Sequence, residues 1–156
     1  MKLRRTAVTP EKALIRLEEL CARAEHCTYE LRQKLRNWSI MPDDAEEIIA
    51  SLQKRRFVDD ARFAVSFVRD RYRYAKWGRV KIRIQLRAKH IDPDVIEDAL
   101  VEIDEHEYLD ILRALIKAKS RTLPDISSYE SRTKIFRFAL NRGFESNLIS
   151  HCLSNM

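Results

Sequence analysis

RYRYAKWGRVKIR, residues 71–83, can be read in two ways. Taken as every-other-residue alternation, the VKIRIQL run after Gly78 is a β-strand with one basic face. Taken at helical spacing, it is a basic helix with a narrow apolar seam through Ile82 and Leu86. The choice decides what the positive charges gathered here can touch.

An internal repeat decides it. From Ile40, apolar residues follow at Ala45, Ile48, Ile49 and Leu52. From Ile91 they follow at Val95, Ile96, Ala99, Leu100 and Ile103, and from Phe144 at Leu148, Ile149, Cys152 and Leu153. The three anchors lie 51 and 53 residues apart, the signature of a tandem supersecondary unit. Five and nine residues before each anchor a second seam recurs: Leu31 and Leu35, Ile82 and Leu86, Ile135 and Ala139. Residues 79–89 therefore occupy the slot of TYELRQKLRNW (28–38), which has no strand-like alternation, and the spacing predicts a helix. The residue before each anchor is Ser39, His90 or Gly143; glycine suits the left-handed turn that closes a helix, and the other two suit it less.

Each unit reads as three helices. The first run roughly over 10–24, 59–74 and 104–119, with stripes Leu14, Leu17, Cys21; Phe63, Phe67, Tyr74; and Leu109, Leu112, Ile116. The third are expected to begin after PDD (42–44), DPD (92–94) and ES (145–146). The predicted organisation is a loose tail over 1–9 and three-helix units over 10–55, 56–103 and 104–156; the length is enough for one domain or a few small units sharing a continuous core. Composition agrees with an all-α fold: two glycines and four prolines in 156 residues are too few to turn many hairpins. Val80 and Ile84 fall away from the seam, and the slot of Ile84 holds Gln33 and Arg137 in the other units. An apolar residue there reads as a contact between units, the alternative being an exposed patch for a partner.

The formal charge is +6, which fits an anionic partner or merely a solvated surface. Its distribution says more. Arg69, Arg71, Arg73, Lys76, Arg79, Lys81, Arg83, Arg87 and Lys89 are opposed within their stretch only by Asp70, whereas Asp92–Asp110 carries nine acids and no Lys or Arg. At helical spacing Arg79, Arg83 and Arg87 form one ridge and Arg62, Arg69 and Arg73 another. Like charges so placed repel unless an anion offsets them, and phosphate suits the planar guanidinium fork. Tyr72, Tyr74 and Trp77 are interleaved as on a surface that stacks bases; a packed inter-helix loop is the competing role, which suits Tyr74 and Trp77 better. Internal salt bridges to the 92–110 acids are the competing reading for the arginines.

No Gly-rich phosphate loop, His-Glu-x-x-His or Cys-x-x-Cys is present. Cys21, His26 and Cys27 lack a fourth zinc ligand at a usual spacing, and Asp59-Asp60 reads as a helix start. The expected protein is a binder rather than an enzyme, with no cofactor and no metal. No run of about 18 apolar residues suggests a membrane span, and MKLRRTAVTPEK lacks a signal-peptide core, so the expected location is cytoplasmic.

The central stretch resembles the signature of the RecX family, bacterial regulators of the RecA recombinase. The matching elements are Asp59-Asp60-x-Arg62-Phe63-Ala64, Phe67-Val68-Arg69-x-Arg71, Gly78-Arg79, Ile82-x-x-x-Leu86 and Lys89-x-Ile91-Asp92. Thr28-x-Glu30-Leu31 with Lys34-Leu35, and Arg142-Gly143-Phe144, extend it to the outer units. His90 and Ser39 depart from the glycine usual in the family at those turns, and Tyr72–Trp77 is longer and more aromatic than expected. The resemblance implies an elongated, curved array of three three-helix repeats. Such a protein binds DNA and the RecA–DNA filament and limits filament growth, ATP hydrolysis and strand exchange, with no cofactor; the chain itself is expected to be a monomer. The expected DNA- or filament-facing set is Arg62, Arg69, Arg71, Arg73, Lys76, Arg79, Lys81, Arg83, Arg87 and Lys89, with Tyr72 and Trp77. A helix-turn-helix DNA-binding regulator and a purely protein-binding helical repeat are the alternatives.

Overall fold

The computed structural model describes residues 7–156, and every regular element within them is an α-helix. Three trios follow in order: α1 (Pro10–Arg23), α2 (Thr28–Asn37), α3 (Pro42–Lys54); α4 (Asp60–Arg73), α5 (Arg79–Ala88), α6 (Pro93–Val101); α7 (Glu105–Ser120), α8 (Tyr129–Asn141), α9 (Ser146–Ser154). The principal helix–helix packings all fall within a trio. Most of the expected N-terminal tail lies outside the described residues; Thr9 caps α1 by accepting from the Lys12 amide at 3.2 Å. No helix among the described residues is long and apolar enough to cross a membrane.

The VKIRIQL stretch is helical within α5, with Ile82 and Leu86 fully buried. The turns after the second helices repeat in backbone detail. Ser39, His90 and Gly143 all take positive φ (58°, 58° and 93°), so serine and histidine adopt the left-handed turn in glycine's place. In each, the anchor amide reaches back five residues: Ile40 to the Leu35 carbonyl (3.0 Å), Ile91 to Leu86 (3.2 Å), Phe144 to Ala139 (3.3 Å). Those bonds satisfy carbonyls that a helix end otherwise leaves unpaired. The third helices start earlier than expected. Pro42 and Pro93 are themselves the first helical residues, where the missing N–H costs nothing and the fixed φ suits a helix.

Two expectations about seams need correction. Tyr74 is not in the α4 seam: it caps the helix and is 80% exposed. Tyr72 is buried instead, on a second face with Ala64 and Val68 at i, i+4 and i+8. In α7 the fully buried stripe is Tyr108, Leu112 and Ile116, and Leu109 is only half-buried. The core divides into two clusters. One cluster holds the first trio together through Ala13, Leu17, Leu31, Leu35, Ile49 and Leu52. A second joins the other two trios, from Phe63 and Tyr72 through Ile82 and Tyr108 to Phe144 and Ile149. Cys27 alone among buried residues of the first trio belongs to that second cluster.

Candidate nucleic-acid and filament interface

The N-terminus of α5 positions the candidate site. Its first amides have no helical partners, and those of Gly78, Arg79 and Val80 find theirs in the next trio. The Gly78 amide donates to the Arg142 carbonyl at 2.8 Å and the Val80 amide to the Gly143 carbonyl at 3.0 Å. The Arg79 amide donates to the Tyr108 hydroxyl at 3.0 Å. The end of α8 thus feeds its spare carbonyls to the start of α5. The approach is close because both residues at the crossing are glycine, the only two in the chain. A Cβ on Gly78 would overlap the backbone of Gly143 and Phe144, and one on Gly143 would overlap the Lys81 Cβ and backbone. The Arg142 guanidinium adds donations to the carbonyls of Ala75 (2.7 Å) and Lys76 (3.2 Å), fixing the α4–α5 loop.

The basic ridges are largely consumed inside the protein. Arg69 pairs with Glu102 (3.3 Å), Arg73 with Glu107 (2.8 Å) and Arg83 with Glu97 (2.8 Å). Arg79 pairs with Glu105 and with Glu145 (2.7 Å) and lies over the Tyr108 ring, leaving its side chain only 15% exposed. For these four arginines, internal pairing with the acidic stretch is what the fold contains. Arg79, Arg83 and Arg87 are therefore not one free ridge. As the first residue of its helix, Arg79 faces α7 rather than solvent. Arg62 pairs with Glu25 at 2.6 Å and also donates to the carbonyls of Arg56 and Phe57. Lys89 reaches Glu30 at 3.4 Å. The Arg83–Glu97 pair is a repeat feature: Arg32 and Glu46 form the same two-pronged pair in the first trio, at matching positions. In both pairs the arginine's hydrogen bonds pull the glutamate's pKa down and the carboxylate pushes the arginine's up.

Among the described residues, four of the nine clustered cations have no carboxylate partner: Arg71, Lys76, Lys81 and Arg87. The first three gather at the α4–α5 loop around Trp77. The Arg71 guanidinium lies 4.4 Å from the Phe67 ring centre and 5.1 Å from that of Trp77, and the Lys81 ammonium 4.4 Å from Trp77. Cations so placed gain from the ring's negative face. Arg71 Nε is buried with no hydrogen-bond partner, so its side chain is held by the rings. Lys76 is exposed in the left-handed conformation (φ 59°). Trp77 is half-buried, edge-on to Phe67. Tyr72 is 1% exposed, with its hydroxyl donating to Glu107 at 3.2 Å, and has no face free for a base. Tyr74, whose place in the sequence suits packing, is the aromatic residue presented to solvent here.

Asp59 caps α4 as expected, accepting from the Arg62 amide at 3.0 Å. Asp60 caps a different helix: it accepts from the amide and hydroxyl of Thr28, both at 2.8 Å, at the start of α2. No periodicity signals this 32-residue reach. Among the described residues, no three His, Cys, Asp or Glu side chains gather as a metal site would require. Burial pushes the Cys27 thiol up to about 12, and desolvation likewise raises Cys21 and Cys152, so all three thiols are held protonated.

Comparison with known proteins agrees with this architecture. Residues 59–100 match the family model described as RecX, second three-helix domain, and residues 105–153 match RecX, third three-helix domain. The chain is 29% identical over 147 residues to the regulatory protein RecX of Prosthecochloris aestuarii, covering 93% of each chain. It is 33% identical over 131 residues to that of Legionella pneumophila strain Corby, covering 84% of this chain and 85% of that one. The crystal structure of RecX from Lactobacillus salivarius superposes with a TM-score of 0.82 at 25% identity, over 94% of this chain and 95% of that one.

Proposed function

The chain belongs to the RecX family of regulatory proteins, and from that premise we propose that it binds DNA and a RecA–DNA filament and restrains filament extension, ATP hydrolysis and strand exchange. It does so as a cytoplasmic, monomeric binder and catalyses no reaction of its own. The observation that carries the reading is the cluster of Arg71, Lys76 and Lys81 around Trp77. These cations lack internal carboxylates although nine acids lie in the adjoining stretch. An unpaired cation is available to phosphate without first breaking an ion pair, whereas Arg69, Arg73, Arg79 and Arg83 must exchange a carboxylate to bind one. Contacts of this kind neutralise backbone charge and carry little sequence information.

The test is a titration of the protein into a RecA–DNA filament, following ATP hydrolysis. Inhibition should rise to saturation, and unchanged hydrolysis at saturating protein overturns the proposal. A Lys76→Ala, Lys81→Ala variant should keep its fold, since neither lysine pairs with a carboxylate among the described residues and alanine leaves the Lys81 Cβ against Gly143. Its DNA affinity should fall alike on all sequences. The slope of log affinity against log salt should flatten by about 2, near 0.9 for each phosphate no longer neutralised.

A further inference from the structure

The outward face of α5 carries an apolar stripe that the fold leaves uncovered. Val80 is 41% exposed and Ile84 57% exposed, at i and i+4. Arg87 and Ala88 continue the same face one turn on, both exposed. The repeat pattern predicts a contact between units for Ile84; its exposure overturns that expectation. Contact between α5 and the third trio is made instead at the helix start, by backbone at Gly78 and Val80 and by the Arg79 side chain, and ends a turn short of Ile84. The stripe is peculiar to the middle trio. The matching residues are Tyr29, which stacks on His90, and Gln33 in the first trio, and Thr133 and Arg137 in the third.

We infer that this face docks on a protein, the recombinase subunit, and is separate from the nucleic-acid contacts; the choice of partner rests on the function proposed above. Two chemical features point there. Val and Ile offer a phosphate no donor and a base no flat ring, yet they lose water favourably against apolar protein surface. The charge beside them is cationic: Arg87 has no acid partner among the described residues, and the nearby Glu97 is occupied by Arg83. The complement is a patch of aliphatic side chains edged by Asp or Glu, with Ile84 at its centre and Arg87 meeting the carboxylate. The middle trio would then grip the filament twice, through the Trp77 cluster to DNA and through α5 to protein.

Ile84→Gln tests this, because it installs the first trio's residue at an exposed helical position. The thermal midpoint and the affinity for naked single- and double-stranded DNA should match the parent chain. The concentration that half-inhibits filament ATP hydrolysis should rise about fivefold or more, the effect of removing one central anchor. Ile84→Ala, which keeps a good helix former, should shift it in the same direction by less. Unchanged inhibition with either variant overturns the inference. So does an equal loss of naked-DNA binding, which would assign the face to nucleic acid. A parent chain that neither binds nor inhibits the filament overturns the proposed function, and this inference with it.

Discussion

The joint between the first and second trios and the joint between the second and third are built from the same positions by different chemistry. At each joint, the start of one trio's second helix docks on the turn that closes the next trio's second helix. In the second joint Gly78 and Gly143 meet backbone to backbone, with two inter-trio amide–carbonyl bonds of 2.8 and 3.0 Å. In the first joint the matching residues are Cys27 and His90. Cys27 sends its thiol into the neighbour's core, and Tyr29 stacks on His90 with ring centres 4.4 Å apart. Glu30 accepts from Lys89 and Asp60 from Thr28. In the second joint the Tyr108 hydroxyl takes the Arg79 amide, and Glu105 takes only the Arg79 guanidinium. Glycine permits backbone contact and a fused core; side chains hold the first trio at arm's length with a core of its own. The Glu30–Lys89 pair is half-buried, and the two bonds from Thr28 to the Asp60 carboxylate are the stronger polar contacts of this joint. What separates the joints is the core: the second is continuous across it, and the first trio keeps its own.

Gly78→Ala should break this contrast most severely. The added methyl meets backbone that cannot swing aside, so the loss should be about 3 kcal/mol, at the upper end for overpacking. Urea midpoints measure it; a loss under about 1 kcal/mol would show that the clasp yields. Asp60→Ala strikes the other joint. It removes both bonds to Thr28 and should cost about 1–2 kcal/mol, the range for a lost helix cap. Amide exchange should quicken across α1–α3 and stay slow in α7–α9; uniform quickening would mean that the first trio is no more separable than the others. The smallest effect sharpens the comparison. Ser39→Gly should stabilise by about 1 kcal/mol, because glycine enters the left-handed region without steric cost. His90→Gly should gain less, since it also loses the stack on Tyr29. Equal gains would show that the stack contributes nothing.

The repeat, its helices and their closing turns were legible because they are local. An amphipathic helix writes its buried face at spacings of three and four, and Ile82 with Leu86 showed that face against the strand alternative. Even the departures at Ser39 and His90 leave the turn unchanged, since the surrounding bonds from Ile40 and Ile91 hold the left-handed backbone. Tyr72 and Tyr74 exchanged roles because α4 is buried on two faces and ends at Arg73. One seam extrapolated from Phe63 and Phe67 foresees neither fact. The candidate site was half legible. Clustering located the cations around 69–89, but separating the paired from the unpaired required the partners, which lie 14 to 66 residues away.

By itself, the sequence determined an all-α chain of repeated three-helix units with its positive charge concentrated in the middle. Hydrophobic period and turn chemistry act over a few residues and recur wherever the pattern recurs. Only the tertiary structure decided that two trios share a core while the first keeps its own. It also decided that Arg79 is spent on Glu105 and Glu145, and that Ile84 faces water. Those outcomes depend on how helices distant in sequence are brought together, and a long guanidinium or an isolated isoleucine carries no local signal of the neighbour it will meet.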